Sequence, residues 1–462
     1  MHWFGFTVPH ALISTGSHQF GLTPAFIHCI SAPLSIVFMT VFLFAPTATA
    51  SETSIPDLIR ATLSYHPSLR SQQSRKDAST AGVEAARWQF WPTPSVSVER
   101  ASGSQDDPSY RGDSSVSYIR LQQPLWTGGR LTGNLARAKA RGAATEAELL
   151  ELRQQLALRV VQAWSEVIVA KHKGLAYEGS LVMHQRLLAL VERRYKEGAS
   201  AQADVSLASS RLNTLQAELE ASAAQGETSL ERLRLLTGRN IGAEIAKNTQ
   251  ELLLPARDPV LGALLAAARK KSPLLAKARA QAEAAETEIQ IARAALSPEV
   301  YLRLESQHGS FSQAQQSSQN RFFVGLSTSL GGGLSILSGV EAAVAQHKAA
   351  LEDIQTQQLV LDEQIQSDHT LALTAQSRRS GLEHASQAAA DVLDSYQRQF
   401  LAGRKQWLDL MNAAREQAQS DVQLADAIGA QQLANWRLAL LSRGVDALVT
   451  EGVQSNPLKE KP

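Results

Sequence analysis

Cysteine is nearly absent from this chain. One occurs in 462 residues, Cys29, inside a stretch with the character of a cleaved leader. A processed chain would hold none, which excludes disulfides, thiol nucleophiles and cysteine-bound metals. Aromatics are scarce at 6%, while Ala, Leu, Gln, Glu and Arg fill long tracts. That is the makeup of extended helices and coiled coils, not of compact mixed domains. The formal charge is nearly balanced at +1, so no summed field draws the chain to nucleic acid or to an acidic partner. Beyond residue 50 no segment approaches the ~20 apolar residues that a membrane-crossing helix requires.

Catalytic motifs are missing as well. Four of the eleven histidines lie in the first 50 residues. The others (His66, His172, His184, His308, His347, His369 and His384) show no ligand spacing such as HExxH and are expected as surface or packing residues. There is no GxSxG elbow. Gly128-Gly129-Arg130 and Gly331-Gly332-Gly333 lack the Lys-Ser/Thr of a phosphate-binding loop. Each follows a strand-like segment and opens a helix-like one. Strand-to-helix turns with positive φ are therefore expected at Gly128, Gly129, Gly332 and Gly333. Nothing in the chain points to an enzyme, a cofactor or a metal.

What is present begins with a leader. Residues 1–50 contain no Asp, Glu, Lys or Arg. A mostly apolar run at 34–45 is followed by Pro46 and by Ala48-Thr49-Ala50, a small-x-small cleavage site. This predicts a signal peptide over 1–50 and a mature start at Ser51. The stretch lacks a basic n-region, and a retained anchor from about Ile27 is the alternative.

The rest of the chain is a duplication. Setting Pro67 over Pro273 places Arg87 over Arg293, Pro92 over Pro298 and Glu99 over Glu305, at a constant offset of 206. Further on, Tyr195, Gly198 and Asp204 meet Phe400, Gly403 and Asp409 at an offset of 205. A repeat this long is a doubled half-molecule, not a solenoid period. It divides the chain into a first repeat at 51–238, a connector at 239–258, a second repeat at 259–449 and a flexible tail at 450–462.

Each half reads as helix, two strands, then a very long helical hairpin, giving a mainly α fold with a small β part. Residues 54–90 have a helical pattern broken at His66-Pro67, because proline disfavours helix in the residue before it. Residues 95–101 and 116–125 alternate with period 2, as do 300–305 and 322–328. Long polar loops join the members of each pair. Alternating strands of about 9–11 residues have the length of membrane-spanning β-strands, although a soluble hairpin would alternate too. Four strands cannot close a barrel, for which about eight is the smallest packed number. In lipid an open sheet would leave its edge groups unpaired at several kcal/mol each. If the strands cross a membrane, several chains must pool them.

Between Gly129 and Glu197 there is no proline. Leu149, Leu152, Leu156, Val160, Ala163, Val167, Ala170, Gly174, Tyr177 and Leu181 recur at spacings of 3 and 4, a coiled-coil seam. A second apolar line (Leu158, Val161, Trp164, Ile168, Leu175) predicts packing on two sides, as in a wall of helices. A helix of ~65 residues would reach roughly 100 Å. Gly198 marks a reversal and 202–237 returns as helix. The second half repeats the plan, with 338–400 down, Gly403 as the turn and 406–441 back. If the hairpins lie side by side their tips meet, and an Asp near a Lys or Arg there could latch them.

These residues resemble the TolC-like outer membrane efflux and type I secretion channel family. The resemblance rests on the duplication, His66-Pro67-Ser68-Leu69, QPLWTGGR at 123–130, RYKEG at 194–198 and Leu236-Thr237-Gly238. It covers 55 to about 449. It implies a homotrimer in which each chain gives four strands to a 12-stranded barrel in outer membrane lipid. The helices would form a periplasmic tunnel docking a periplasmic adaptor and an inner membrane ABC exporter or proton-driven pump. The family narrows its entrance with aspartates six and nine residues after the second tip glycine; here these positions are Asp409 and Asn412. One ring of aspartates, with weaker cation preference, is implied. The family's latch joins a first-tip Asp to a Tyr and an Arg of the second tip. Here the positions hold Asp204, Phe400 and Lys405, with Arg404 adjacent. Phenylalanine supplies no hydroxyl and lysine no bidentate fork, so a looser latch is expected. The competing readings are a periplasmic adaptor, which would show one hairpin flanked by compact β domains, and a structural coiled-coil protein of the envelope.

Overall fold

The computed structural model describes residues 54–102, 108–242, 261–313, 318–328 and 335–454. The leader, most of the connector, Gly332, Gly333 and residues 455–462 lie outside the described residues.

The two halves follow one plan. Helix α1 (Ile55–Tyr65) opens on Ser54, whose Oγ accepts from the Asp57 N–H at 3.3 Å, with Pro56 in the first turn where a missing N–H costs nothing. It stops at His66, ahead of Pro67, and His66 Nδ1 accepts from the Ser68 N–H to start α2 (Pro67–Trp88). In the second half α5 (Leu261–Lys271) and α6 (Pro273–Ala294) break at the matching proline, with Ser272 as cap. Helices α1 and α5 have 11 residues each, α2 and α6 have 22 each. Strands β1 (Thr93–Arg100) and β2 (Ser115–Trp126) follow in the first half. Their counterparts are β3 (Glu299–His308) and β4 (Gln319–Ser327). Then come α3 (Arg130–Lys196) and α7 (Ser335–Leu401), both of 67 residues, about 100 Å at 1.5 Å per residue. The return helices are α4 (Gln202–Thr237) and α8 (Trp407–Arg443), and α9 (Val445–Gln454) ends the described chain.

The four strands form one sheet in the order β1-β2-β3-β4, every neighbouring pair antiparallel. The halves thus share a single sheet through β2 and β3, while β1 and β4 keep open edges.

The helices lie side by side. Along its first half α3 is flanked by α2 and α6, through Gln72–Glu148 and Arg137–Glu288. Along its second half α4 and α8 take over, through Ser222 donating to the Ala170 carbonyl and Ser165 donating to the Gly429 carbonyl. The two-sided packing read from the apolar lines is present. Leu156, Val160, Val161, Trp164, Val167 and Ile168 are all buried. They join Ile55, Leu58, Leu233, Trp436 and Leu448 in a core where α1, α3, α4, α8 and α9 meet. Leu175 departs from expectation and is exposed. At Gly429 an added Cβ would stand 2.0 Å from Val169 Cγ2, so α8 approaches α3 to backbone distance only because that residue is glycine. Burial inside a helical wall leaves carboxylates needing partners. Arg269 grips Asp362 from α5 to α7 through Nε and Oδ1 at 2.8 Å, and Arg437 holds the buried Asp368 from α8 to α7 at 3.3 Å.

Residues 450–454, expected in the tail, are the last turn of α9. The short helix escaped the sequence reading because Gly444 interrupts the long periodic run of α8 and α9 is too brief to show a period of its own.

Candidate functional site

The sheet has two unlike faces, fixed by cross-strand register. Val96 pairs with Ile119, Leu121 with Leu304, Leu304 with Phe322 and Leu302 with Val324, so these side chains share one face. That face is apolar and, apart from the half-buried Leu302, uncovered, with exposures from 38% at Leu121 to 71% at Val96. An apolar surface of this extent is a contact surface, not a solvated one. The opposite face carries Ser97, Tyr118, Arg120, Arg303, Glu305 and Phe323. Arg120 Nε donates to Glu305 Oε2 at 2.8 Å across the β2–β3 pair.

Both ends of the sheet are tied down. At the helix end Trp88 and Trp91 are exposed with ring centroids 6.1 Å apart, Trp126 is also exposed, and Arg130 meets Glu299 at 2.6 Å. Gly128 and Gly129 turn β2 into α3 at φ 62° and 94°. At the far end the two loops meet. The Asp113 N–H donates to the Ser310 carbonyl at 2.7 Å, the Ser310 N–H donates back to the Asp113 carboxylate at 2.9 Å, and Tyr110 packs near Phe311.

The hairpin tips turn at Gly198 and Gly403, with φ 75° and 72°. They come together around Leu187, Val191, Ala208, Leu393, Phe400, Trp407 and Leu410. The contact between tips is made by Arg194, whose guanidinium lies 4.7 Å from the Phe400 ring centroid, with Trp407 5.5 Å further on.

A family model described as outer membrane efflux protein matches residues 58–239 and again 264–442. The chain belongs to the outer membrane efflux protein family. Its unit matches once on each half, as the duplication requires. Among solved structures the chain is similar to the outer-membrane channel OprN, with 21% identity, TM-score 0.72, and 84% of this chain and 89% of that one covered. It is also similar to the outer membrane protein VceC of Vibrio cholerae, with 19% identity, TM-score 0.73 and coverage of 84% and 96%. The CmeC outer membrane channel of Campylobacter jejuni aligns with 14% identity, TM-score 0.71 and coverage of 87% and 88%. No match is found among curated protein sequences. As a member of this family of passive channels the chain is not an enzyme. Among the described residues no group of His, Cys, Asp and Glu could hold a metal ion, and no helix is long and apolar enough to cross a membrane.

Asp204 does not reach the second tip: its carboxylate accepts from the Ala201 N–H at 3.2 Å and caps α4. Lys405 also stays within its own hairpin, 3.5 Å from the Asp409 carboxylate and 4.1 Å from the Tyr396 ring centroid. The hydrogen bond to Tyr396, together with the Asp409 charge, raises the Lys405 pKa, so it is a fixed cation. The Arg404 side chain is exposed. Asp409 is half-exposed and Asn412, one turn on, is exposed. Both lie opposite the buried Leu410, Met411, Ala413 and Ala414. Sequence reasoning missed Arg194, Tyr396 and Trp407. The available signal was the run of basic residues before Gly198 facing aromatics on either side of Gly403.

One ionisable group is buried above the tips. His184 is 2% exposed and its Nδ1 donates to the Ser180 carbonyl at 2.9 Å. Burial lowers its pKa, the Ser180 bond opposes that, and Arg211 adds to the lowering. The folded chain therefore binds fewer protons than the unfolded chain between the lowered value and the ordinary 6.5. The stabilisation is present above pH 6.5 and is lost as pH falls through that window. Thermal melts from pH 7 to pH 5 are expected to show a smaller loss of stability for His184→Gln than for the natural chain.

Proposed function

We propose that three copies of this chain close a 12-stranded barrel in the outer membrane above a periplasmic helical tunnel, forming the passive exit duct of a tripartite system. The observation that carries this reading is the sheet, which has one bare apolar face, one charged face and two open edges. An edge in lipid costs several kcal/mol for each unpaired group. Because β1 and β4 run in opposite directions, β1 of one copy can pair antiparallel with β4 of the next, and three copies close without a parallel joint. The apolar face then meets lipid. Trp88, Trp91 and Trp126 sit where interfacial aromatics anchor a membrane barrel.

In this reading the repeats at 51–238 and 259–449 each supply a strand pair and a hairpin. The tips form the entrance that a periplasmic adaptor engages, and energy comes from an inner membrane pump. The RRYKEGASAQADV tract favours an ABC exporter and type I secretion; a proton-driven pump would make the same duct an efflux channel. The tip latch is the Arg194–Phe400 stack, with Asp204 and Lys405 committed to their own hairpins and Arg404 free to meet an adaptor. A ring of Asp409, with Asn412 beside it, narrows the entrance.

Two measurements test this. Outer membrane fractions are expected to yield a heat-modifiable trimer, and a soluble monomer in the periplasmic fraction would refute it. In planar bilayers Asp409→Ala is expected to raise conductance and reduce cation selectivity about two- to threefold, the scale of losing ~0.5 kcal/mol of attraction per carboxylate at an exposed site. Unchanged currents would remove Asp409 from the constriction.

A further inference from the structure

We infer that the polar face of the sheet is an anion-binding belt, built from Arg120, Arg303 and Arg321, that takes small multivalent oxyanions in transit. The inference rests on the barrel reading, which turns this face toward the lumen.

Register places the belt in two adjacent rows across the strands. One row runs Ser95, Arg120, Glu305, Arg321 and the other Thr93, Gln122, Arg303, Phe323. Diagonal neighbours in such rows are roughly 7–8 Å apart, within reach of long side chains. Three guanidiniums thus share one carboxylate. Arg120 takes it, at 2.8 Å, while Arg303 Nε stands 4.0 Å away and makes no hydrogen bond although that atom is buried. Arg321 turns instead to the Gln319 side chain. Glu99, the next acid on this face of β1, lies two rows toward the loops, opposite Val116.

Pairing for structure alone would need one arginine for Glu305. The excess is held ready. Arg120 lies 4.5 Å from the Tyr118 ring centroid, with a long contact to Ser97 Oγ at 3.5 Å, and Arg303 lies 4.6 Å from the Phe323 centroid. A ring under a guanidinium fixes its plane and leaves the edge N–H groups free. Those donors match the oxygens of phosphate-type groups in bidentate geometry. Inside a barrel with low-dielectric walls the field of nine arginines against six glutamates, Glu99 and Glu305 of each copy, is focused rather than dispersed. The lumen then prefers anions while the distal entrance prefers cations.

The test uses the purified trimer and inorganic tripolyphosphate at low ionic strength. Calorimetry is expected to show binding that weakens with added NaCl, and the anion added on the loop side is expected to block potassium current. Arg120→Gln with Arg303→Gln is expected to weaken binding at least tenfold and remove the block. Should that double variant fail to trimerise, Arg321→Gln leaves the Arg120–Glu305 pair intact and is expected to weaken binding about threefold, on the scale of one exposed charge. A conducting trimer that binds no tripolyphosphate, or variants that bind it as tightly as the natural chain, would overturn the belt and leave the duct standing. A chain that neither trimerises nor conducts overturns both.

Discussion

Gly128→Val is expected to abolish the heat-modifiable trimer in outer membranes while leaving the helices formed. Two independent effects act at this position. The residue has φ 62°, a left-handed conformation that a β-branched residue resists, at a cost of about 1–3 kcal/mol. A Cβ there would also stand 2.3 Å from Ser297 Cβ and 3.2 Å from the Ala294 carbonyl. The turn from β2 to α3 is seated on the turn from α6 to β3, so the clash separates the two halves where their strands must pair. Overpacking adds roughly 1–3 kcal/mol. Gly129 is the control. It has φ 94°, but the nearest atom to an added Cβ is Thr132 Oγ1 at 3.8 Å, so Gly129→Ala should cost only the backbone strain, about 1 kcal/mol. Membrane fractions from the two variants, run unheated on gels, separate the effects. Equal trimer yields would show that the seating against Ser297 does not matter.

Trp164→Ala is expected to lower stability by about 3–5 kcal/mol, the range for emptying a buried indole site. Trp164 is fully buried in the cluster where α1, α3, α4, α8 and α9 converge. Rigid neighbours such as Val160, Ile168 and Leu440 cannot collapse into the space. Its indole Nε1 is buried with no hydrogen-bond partner. Removing an unpaired donor relieves a desolvation cost. Trp164→Phe keeps a ring in the site and leaves only a small cavity, so it should cost about 1–2 kcal/mol, well below the alanine variant. Urea midpoints for the three proteins decide this. If Phe is as damaging as Ala, the indole nitrogen has a role that packing does not describe.

Much of this architecture was legible in the residues. Pro67 and Pro273 break the leading helices where sterics demand, the period-2 segments are strands, and the proline-free tracts are helices of 67 residues. Local rules govern these features, so a local reading finds them. The tips were legible only in part. Gly198 and Gly403 announce reversals, but Asp204 follows Ala201 at capping distance, and a helix start claims a carboxylate before a distant hairpin can. Arg194 and Phe400 are 206 positions apart, and their stacking depends on how two hairpins align, which no periodicity encodes. The charge excess on the sheet was likewise hidden. Arg120, Glu305 and Arg321 become neighbours only when register is set between halves. Leu175 shows the reverse failure, since an apolar line continued past the point where neighbours cover it.

The open margins of the sheet have a consequence for the life of a single copy. Helical hairpins mature from nearby contacts and finish early, while β1 and β4 wait with sticky borders and a greasy side on view. If three copies close the barrel as proposed, a lone copy is thus a hazard to its neighbours until two sisters arrive. Maturation becomes a meeting problem, steep in local abundance, and cells that overproduce the chain without an escort should accumulate clumps in place of pores.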